Sequence, residues 1–170
     1  SYFDAGTCYL SATRYKLDDM QPYIYKTKDY GKTWEKIVNG LPANMYNRCV
    51  RNDPNVQGIL YAGLETGVWY SLNDGAFWQP LQLNLPLAPV TDIRIEPKER
   101  DIVIATHGRS FWILDDITPL YDLAKNGDAI QKSNAYLYPV NTGYRTPGPS
   151  YYAEEASDQT GENEAVGVKI

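Results

Sequence analysis

Few residues in this sequence are suited to chemistry, and they lie in two short polar stretches. His107, the sole histidine, stands beside Gly108 and Arg109 in the run THGRS (Thr106–Ser110), and Glu65 stands in LETG (Leu64–Gly67). An imidazole changes charge near neutral pH, and a guanidinium can hold a planar carboxylate through two parallel hydrogen bonds. Glu65, His107 and Arg109 are therefore the candidates for contacting an anionic or sugar ligand. The competing reading is a polar turn closing a hairpin, with Arg109 paired to Asp115 or Asp116. The neighbouring acids Asp18-Asp19, Asp115-Asp116 and Glu154-Glu155 do not suit glycoside hydrolysis, which needs two carboxyl groups facing each other across roughly 5 to 9.5 Å. Adjacent side chains of an extended chain point to opposite faces. One histidine and two distant cysteines give no metal-ligand spacing, and GLETG lacks the lysine and helix of a phosphate-cradling loop. No metal and no cofactor are expected.

Composition narrows the field further. The 170 residues suffice for one domain with a sizeable core. Hydrophobic residues make up 43%, yet no apolar run approaches the 18 residues of a membrane span. The formal charge of −5 comes from 21 acidic and 16 basic residues spread along the chain, without the basic cluster that tracks a phosphate backbone. Nucleic acid and a membrane span are thus not expected. Cys8 and Cys49 are too few for a disulfide scaffold and read as two half-buried thiols. The fifteen tyrosines offer a sugar-stacking surface, although strand packing accounts for most of them.

The elements that would position these residues follow from a repeat. Thr27, Asp29, Gly31, Thr33 and Trp34 have the spacing T-x-D-x-G-x-T-W, and 44 residues later Ser71, Asn73, Gly75 and Trp78 take the same offsets. Leu41-Pro42 and Leu85-Pro86 repeat at the same distance, while Trp69 and Trp112 lie 43 apart. A period of 43 to 44 residues fits one four-stranded propeller blade. Short alternating runs rich in β-branched and aromatic residues read as strands: NRCVRND, ILYAGLE, GVWYSLN and FWQPLQL in the second unit, then VTDIRIE, DIVIATH and SFWILDD in the third. The first unit shows TCYLSATRY, YIYKTKD and TWEKIV and is incomplete at its N-terminal side. In the repeated box, Asp or Asn accepts hydrogen bonds from its own turn, Gly supplies a positive φ, and Trp buries apolar area beside the next sheet. The box is thus a structural clip between strands three and four.

This box resembles the Asp-box, or bacterial neuraminidase repeat, of sialidases, sortilins and related propeller hydrolases. The run from Tyr61 to Asp116 is similar to the last blades of large bacterial sortilin-type repeat proteins, often labelled glycosyl hydrolases. The likeness covers about residues 7 to 142. It departs from the pattern at Asn73 and Phe77, and the third unit has no box. The resemblance implies an all-β fold, part of a β-propeller of about three four-stranded blades (units near 1–42, 46–86 and 89–140). It also implies an extracellular, periplasmic or cell-surface setting. Propeller hydrolases of this kind use the face that carries the turns between strands two and three, where Glu65, His107 and Arg109 would lie. The boxes would lie on the other.

Past Asp116, Thr118-Pro119 reads as an N-cap and first helical residue, opening a short helix near 119–126 that Gly127 stops. SNAYLYPV (Ser133–Val140) reads as a strand able to complete the last sheet, 143–165 as loop or linker, and 166–170 as the start of a further β segment. Three units cannot close a ring, so the remainder of a longer chain or partner chains would complete it. Two functions fit. One is a non-catalytic binding or scaffolding segment engaging protein or glycan. The other is part of a sialidase- or xyloglucanase-like glycoside hydrolase whose acid and base lie in other blades.

Overall fold

The computed structural model describes residues 1–139, which form ten strands in three antiparallel sheets and one α-helix. The first sheet contains β1 (Cys8–Arg14), β2 (Asp19–Thr27) and β3 (Glu35–Lys36) in that order. The second contains β4 (Asn47–Asn52), β5 (Leu60–Leu64), β6 (Gly67–Ser71) and β7 (Gln79–Pro80), also in sequence order. The third contains β8 (Val90–Glu96), β9 (Asp101–Thr106) and β10 (Phe111–Leu114). The helix α1 spans Thr118–Lys132.

Register shows how the units correspond. The first box joins β2 to β3 and the second joins β6 to β7, so β1, β2 and β3 are the counterparts of β5, β6 and β7. The first sheet therefore has no counterpart of β4 among the described residues. Cys8 pairs with Thr27 as Leu60 pairs with Ser71, and Leu10 pairs with Tyr25 as Ala62 pairs with Trp69. The outer strands β3 and β7 are only two residues long. In the second of them Pro80 removes a donor, which an edge strand tolerates.

The middle sheet is covered on both faces, which is why all of β5 is buried. Alternation sends Leu60, Ala62 and Leu64 into one apolar cluster with Ile24, Ile37, Leu41, Val50, Trp69 and Trp78. Ile59 and Tyr61 join Val68 of the same sheet in the other cluster, with Val90, Ile93, Ile102 and Ile104 of the third sheet. The third sheet approaches so closely that a Cβ on Gly63 would lie 2.7 Å from Val90 Cγ1 and 2.8 Å from Cys49 Sγ. Asn47, fully buried, ties the first two sheets: its Oδ1 accepts from the Tyr23 amide at 2.5 Å, and its Nδ2 donates to Ser11 Oγ at 2.6 Å.

A buried carboxylate fastens the helix. Asp53 Oδ1 accepts from the Asn55 and Val56 amides, and its Oδ2 accepts from the hydroxyls of Tyr61 at 3.0 Å and Tyr121 at 2.9 Å. The helix differs from the sequence expectation at both ends. Gly127 does not take a left-handed φ, and the helix passes through it to Lys132, where Ser133 donates to the Ile130 carbonyl from both N and Oγ. One glycine costs a helix about 1 kcal/mol, too little to end it. Thr118 is the first helical residue and not the cap; the side chain serving that end is Asp116, whose Oδ1 accepts the Thr118 amide at 3.0 Å. The strand expected over 133–140 is absent across 133–139, and Val140 lies outside the described residues. Tyr136 instead donates to Asp122 on the helix at 2.5 Å. The expected linker at 143–165 and β segment at 166–170 also lie outside.

Candidate functional site

The two box turns share the same hydrogen bonds except one, which the Thr33 hydroxyl makes and Phe77 cannot. Thr27 Oγ1 donates to Asp29 Oδ1 at 2.8 Å and accepts the Gly31 amide at 2.9 Å, while the Thr33 amide reaches Asp29 Oδ1 at 2.8 Å and its hydroxyl reaches Oδ2 at 2.6 Å. Ser71 Oγ donates to Asn73 Oδ1 at 2.9 Å and accepts the Gly75 amide at 3.0 Å, and the Phe77 amide reaches Asn73 Oδ1 at 2.9 Å. Both Asp29 oxygens are thus engaged within the turn. Hydrogen bonds from the Thr33 side chain and backbone, then from Thr27, bring its carboxyl down to about 2. The amide of Asn73 serves in the second turn because Phe77 stands where Thr33 does and has no hydroxyl that would call for a second acceptor oxygen.

The tryptophans that close the boxes differ. Trp78 is 1% exposed; its indole N–H donates to the Ile37 carbonyl of the first unit at 2.8 Å, and its backbone N–H donates to Asn39 O at 2.9 Å. The seat needs glycine: Gly40 has φ +93°, and a Cβ there would lie 2.3 Å from the Trp78 carbonyl oxygen. Asp74 adds a polar rim, accepting the Tyr9 hydroxyl at 2.6 Å and facing Lys26 at 3.4 Å and Lys28 at 3.3 Å. Trp34, by contrast, is 43% exposed and turns its indole N–H onto Gly31 O of its own turn at 3.1 Å. The expectation that both tryptophans bury against a neighbouring sheet is corrected for Trp34, because no described sheet stands on that side.

The opposite end of the sheets carries the candidate ligand residues. Three connections lie at that end: the 3-10 turn Tyr15–Leu17 between β1 and β2, the turn around Glu65 between β5 and β6, and the turn around His107 between β9 and β10. Both later turns touch the links between units, Thr66 Oγ1 reaching Met45 Sδ at 3.0 Å and the His107 amide reaching Pro89 O at 2.8 Å. Arg48 Nε donates to Glu65 Oε2 at 2.8 Å, and its other arm donates to the Tyr46 hydroxyl at 3.0 Å. Tyr46 in turn stacks on Tyr15, with ring centroids 4.9 Å apart and planes 16° from parallel. Burial alone would raise the Glu65 carboxyl. The hydrogen bonds from Arg48 and Tyr46, with the charges of Arg48 and His107, outweigh it and hold the group below its usual range.

Arg109 stands apart from this group. It is exposed, and among the described residues it forms no ion pair with Asp115, Asp116 or any other carboxylate; its carbonyl accepts the Trp112 indole N–H at 2.7 Å. Tyr15, Tyr46 and Arg48 were not singled out in the sequence, since only register shows that β4 begins beside the end of β5. Among the described residues no group of three or more His, Cys, Asp or Glu side chains could hold a metal ion. Cys49 is buried, which pushes its thiol up to about 11. Cys8 is exposed and not half-buried, because it lies on the outer face of the first sheet. A cleft of about 390 Å³ beside Asn55, Arg100, Tyr121 and Lys125 opens at the other end of the strands, away from Glu65 and His107. No described helix is long and apolar enough to cross a membrane. No protein-family model and no curated protein matches the chain.

Proposed function

We propose that this chain is a segment of a β-propeller that binds or scaffolds without catalysing, completed by the remainder of a longer chain or by partner chains. It engages a glycan or a protein at the end where the turns of all three sheets converge. The observation that carries this reading is that arrangement, which gathers an aromatic pair (Tyr15 and Tyr46) and an Arg48–Glu65 ion pair at the end of the sheets where the β9–β10 turn also carries His107. Such a mixture suits a saccharide, whose apolar face stacks on an aromatic ring while its hydroxyls bond to charged groups. The propeller itself is supported by equivalent registers in consecutive sheets and by the Trp78 contact between the first two units. The box residues belong to the turn: Asp29 has both oxygens engaged there. The setting that goes with this reading is extracellular, periplasmic or at the cell surface.

A glycan microarray developed with the full chain tests the reading. Binding to a defined subset is expected, with a loss of about tenfold or more for Tyr15→Ala and for the paired variant His107→Ala/Arg109→Ala. The reading falls if no glycan is retained, or if both variants bind as the unaltered chain does.

A further inference from the structure

The middle sheet shows what should lie against the first. Its face towards the first sheet presents Leu60, Ala62, Leu64, Trp69 and Trp78, all buried. By register their counterparts in the first sheet are Cys8, Leu10, Ala12, Tyr25 and Trp34. This second set lies on the face turned away from the middle sheet, since Tyr9, Ser11, Ile24 and Lys26 point the other way, to Asp74, Asn47 and the shared cluster. No described residue covers it: Leu10 is 47% exposed, and Trp34 bonds only to its own turn. The backbone is ready for the same contact, as the Tyr30 amide donates to Gly6 O at 3.0 Å where the Asp74 amide donates to Gly58 O at 2.8 Å.

We infer that the outer face of the first sheet is a docking surface for one further antiparallel sheet of this same construction, and that Trp34 is its key. The partner must carry, just past its outer strand, a backbone carbonyl for the indole N–H and a glycine with positive φ under the tryptophan backbone, as Ile37 and Gly40 do for Trp78. On docking, the indole N–H leaves Gly31 O for the partner's carbonyl. A second copy of this chain does not supply that seat. Its Ile37–Gly40 segment is already taken by Trp78, and after β10 the described chain enters the helix in place of an outer strand. The inference rests on the propeller reading for its partner but not on ring closure, because a linear stack would use the same contact.

A lengthened chain tests it. Residues 1–58 are joined ahead of residues 7–170, so that Gly58 takes the place of Gly6 and the first original sheet gains a strand equivalent to β4. In the 170-residue chain Trp34→Ala should lower the melting temperature by about 2 °C or less, as expected of an exposed side chain. In the lengthened chain the same change should lower it by on the order of 10 °C. Gly40→Ala in the added segment should do likewise, and the two changes should not add. Acrylamide quenching of Trp34 should fall in parallel. Equal, small Trp34→Ala shifts in both chains would overturn the inference, as would an added segment that gains no strand signal by circular dichroism. Sedimentation showing the 170-residue chain dimeric with Trp34 shielded would overturn it too, by making a second copy the occupant. Glycan binding plays no part in these readouts, so failure here and failure of the ligand reading are separately visible.

Discussion

Asp53 is the residue on which most donors converge. Replacing it with Ala removes the acceptor of two amides and two tyrosine hydroxyls, and each donor left unsatisfied costs about 1–3 kcal/mol. Partial relaxation should leave a loss of about 3–4 kcal/mol in urea unfolding, against about 1 kcal/mol for Tyr121→Phe. Asp29 behaves differently. Its folded carboxyl sits at about 2, against an ordinary 3.8. A depressed acid stabilises the fold above its unfolded value and loses that contribution as pH falls through its folded one. Melting temperature should therefore decline between about pH 4 and pH 2 from this group. Asp29→Asn should remove that part of the decline and lower the melting temperature modestly at pH 7, since Asn73 faces Phe77 and never needs the second acceptor that Thr33 Oγ1 uses on Asp29. The boxes were legible in the sequence because every bond they need lies within about six residues. Arg48, Tyr46 and Tyr15 were not, because they meet Glu65 only through strand register and a bulge between Asn47 and Cys49.

Among the elements, the strands follow alternation closely, and VTDIRIE falls on β8 without change. The helix was legible in kind but not in extent. Gly127 met no competing contact that would force a left-handed turn, and a Cβ there would have nothing within 4 Å. Gly127→Ala should therefore raise stability by about 0.5–1 kcal/mol, read from the urea midpoint at constant slope. The outer strands β3 and β7 are short because the chain after each turns inward to give a seat or to cover a core. Trp78→Ala should cost about 3–5 kcal/mol by the cavity it leaves. Gly40→Ala should cost a comparable amount, since the obstructing atom is backbone and cannot swing aside. The doubly changed chain should lose less than the sum of the two, because both remove one contact.

At the scale of the whole molecule, the three sheets of the described residues give two buried interfaces and two faces that no described residue covers. At the far end Phe111 is 76% and Ile113 62% exposed, as bare as the first sheet's outer side. Contiguous exposed apolar area of this kind marks association. Sequence repetition foretold equivalent units but could not say which member of each pair lacks a neighbour. That depends on position in the stack, and Trp34 and Trp78 share one motif while differing wholly in burial. The two thiols divide along the same line: Cys8 is open to solvent on the outer face, while Cys49 is enclosed between the second and third sheets. The unaltered chain consequently carries its own label. A maleimide should modify Cys8 within seconds and spare Cys49 until global unfolding, and anything that settles on the first sheet should silence the fast reaction, with no engineered dye site required.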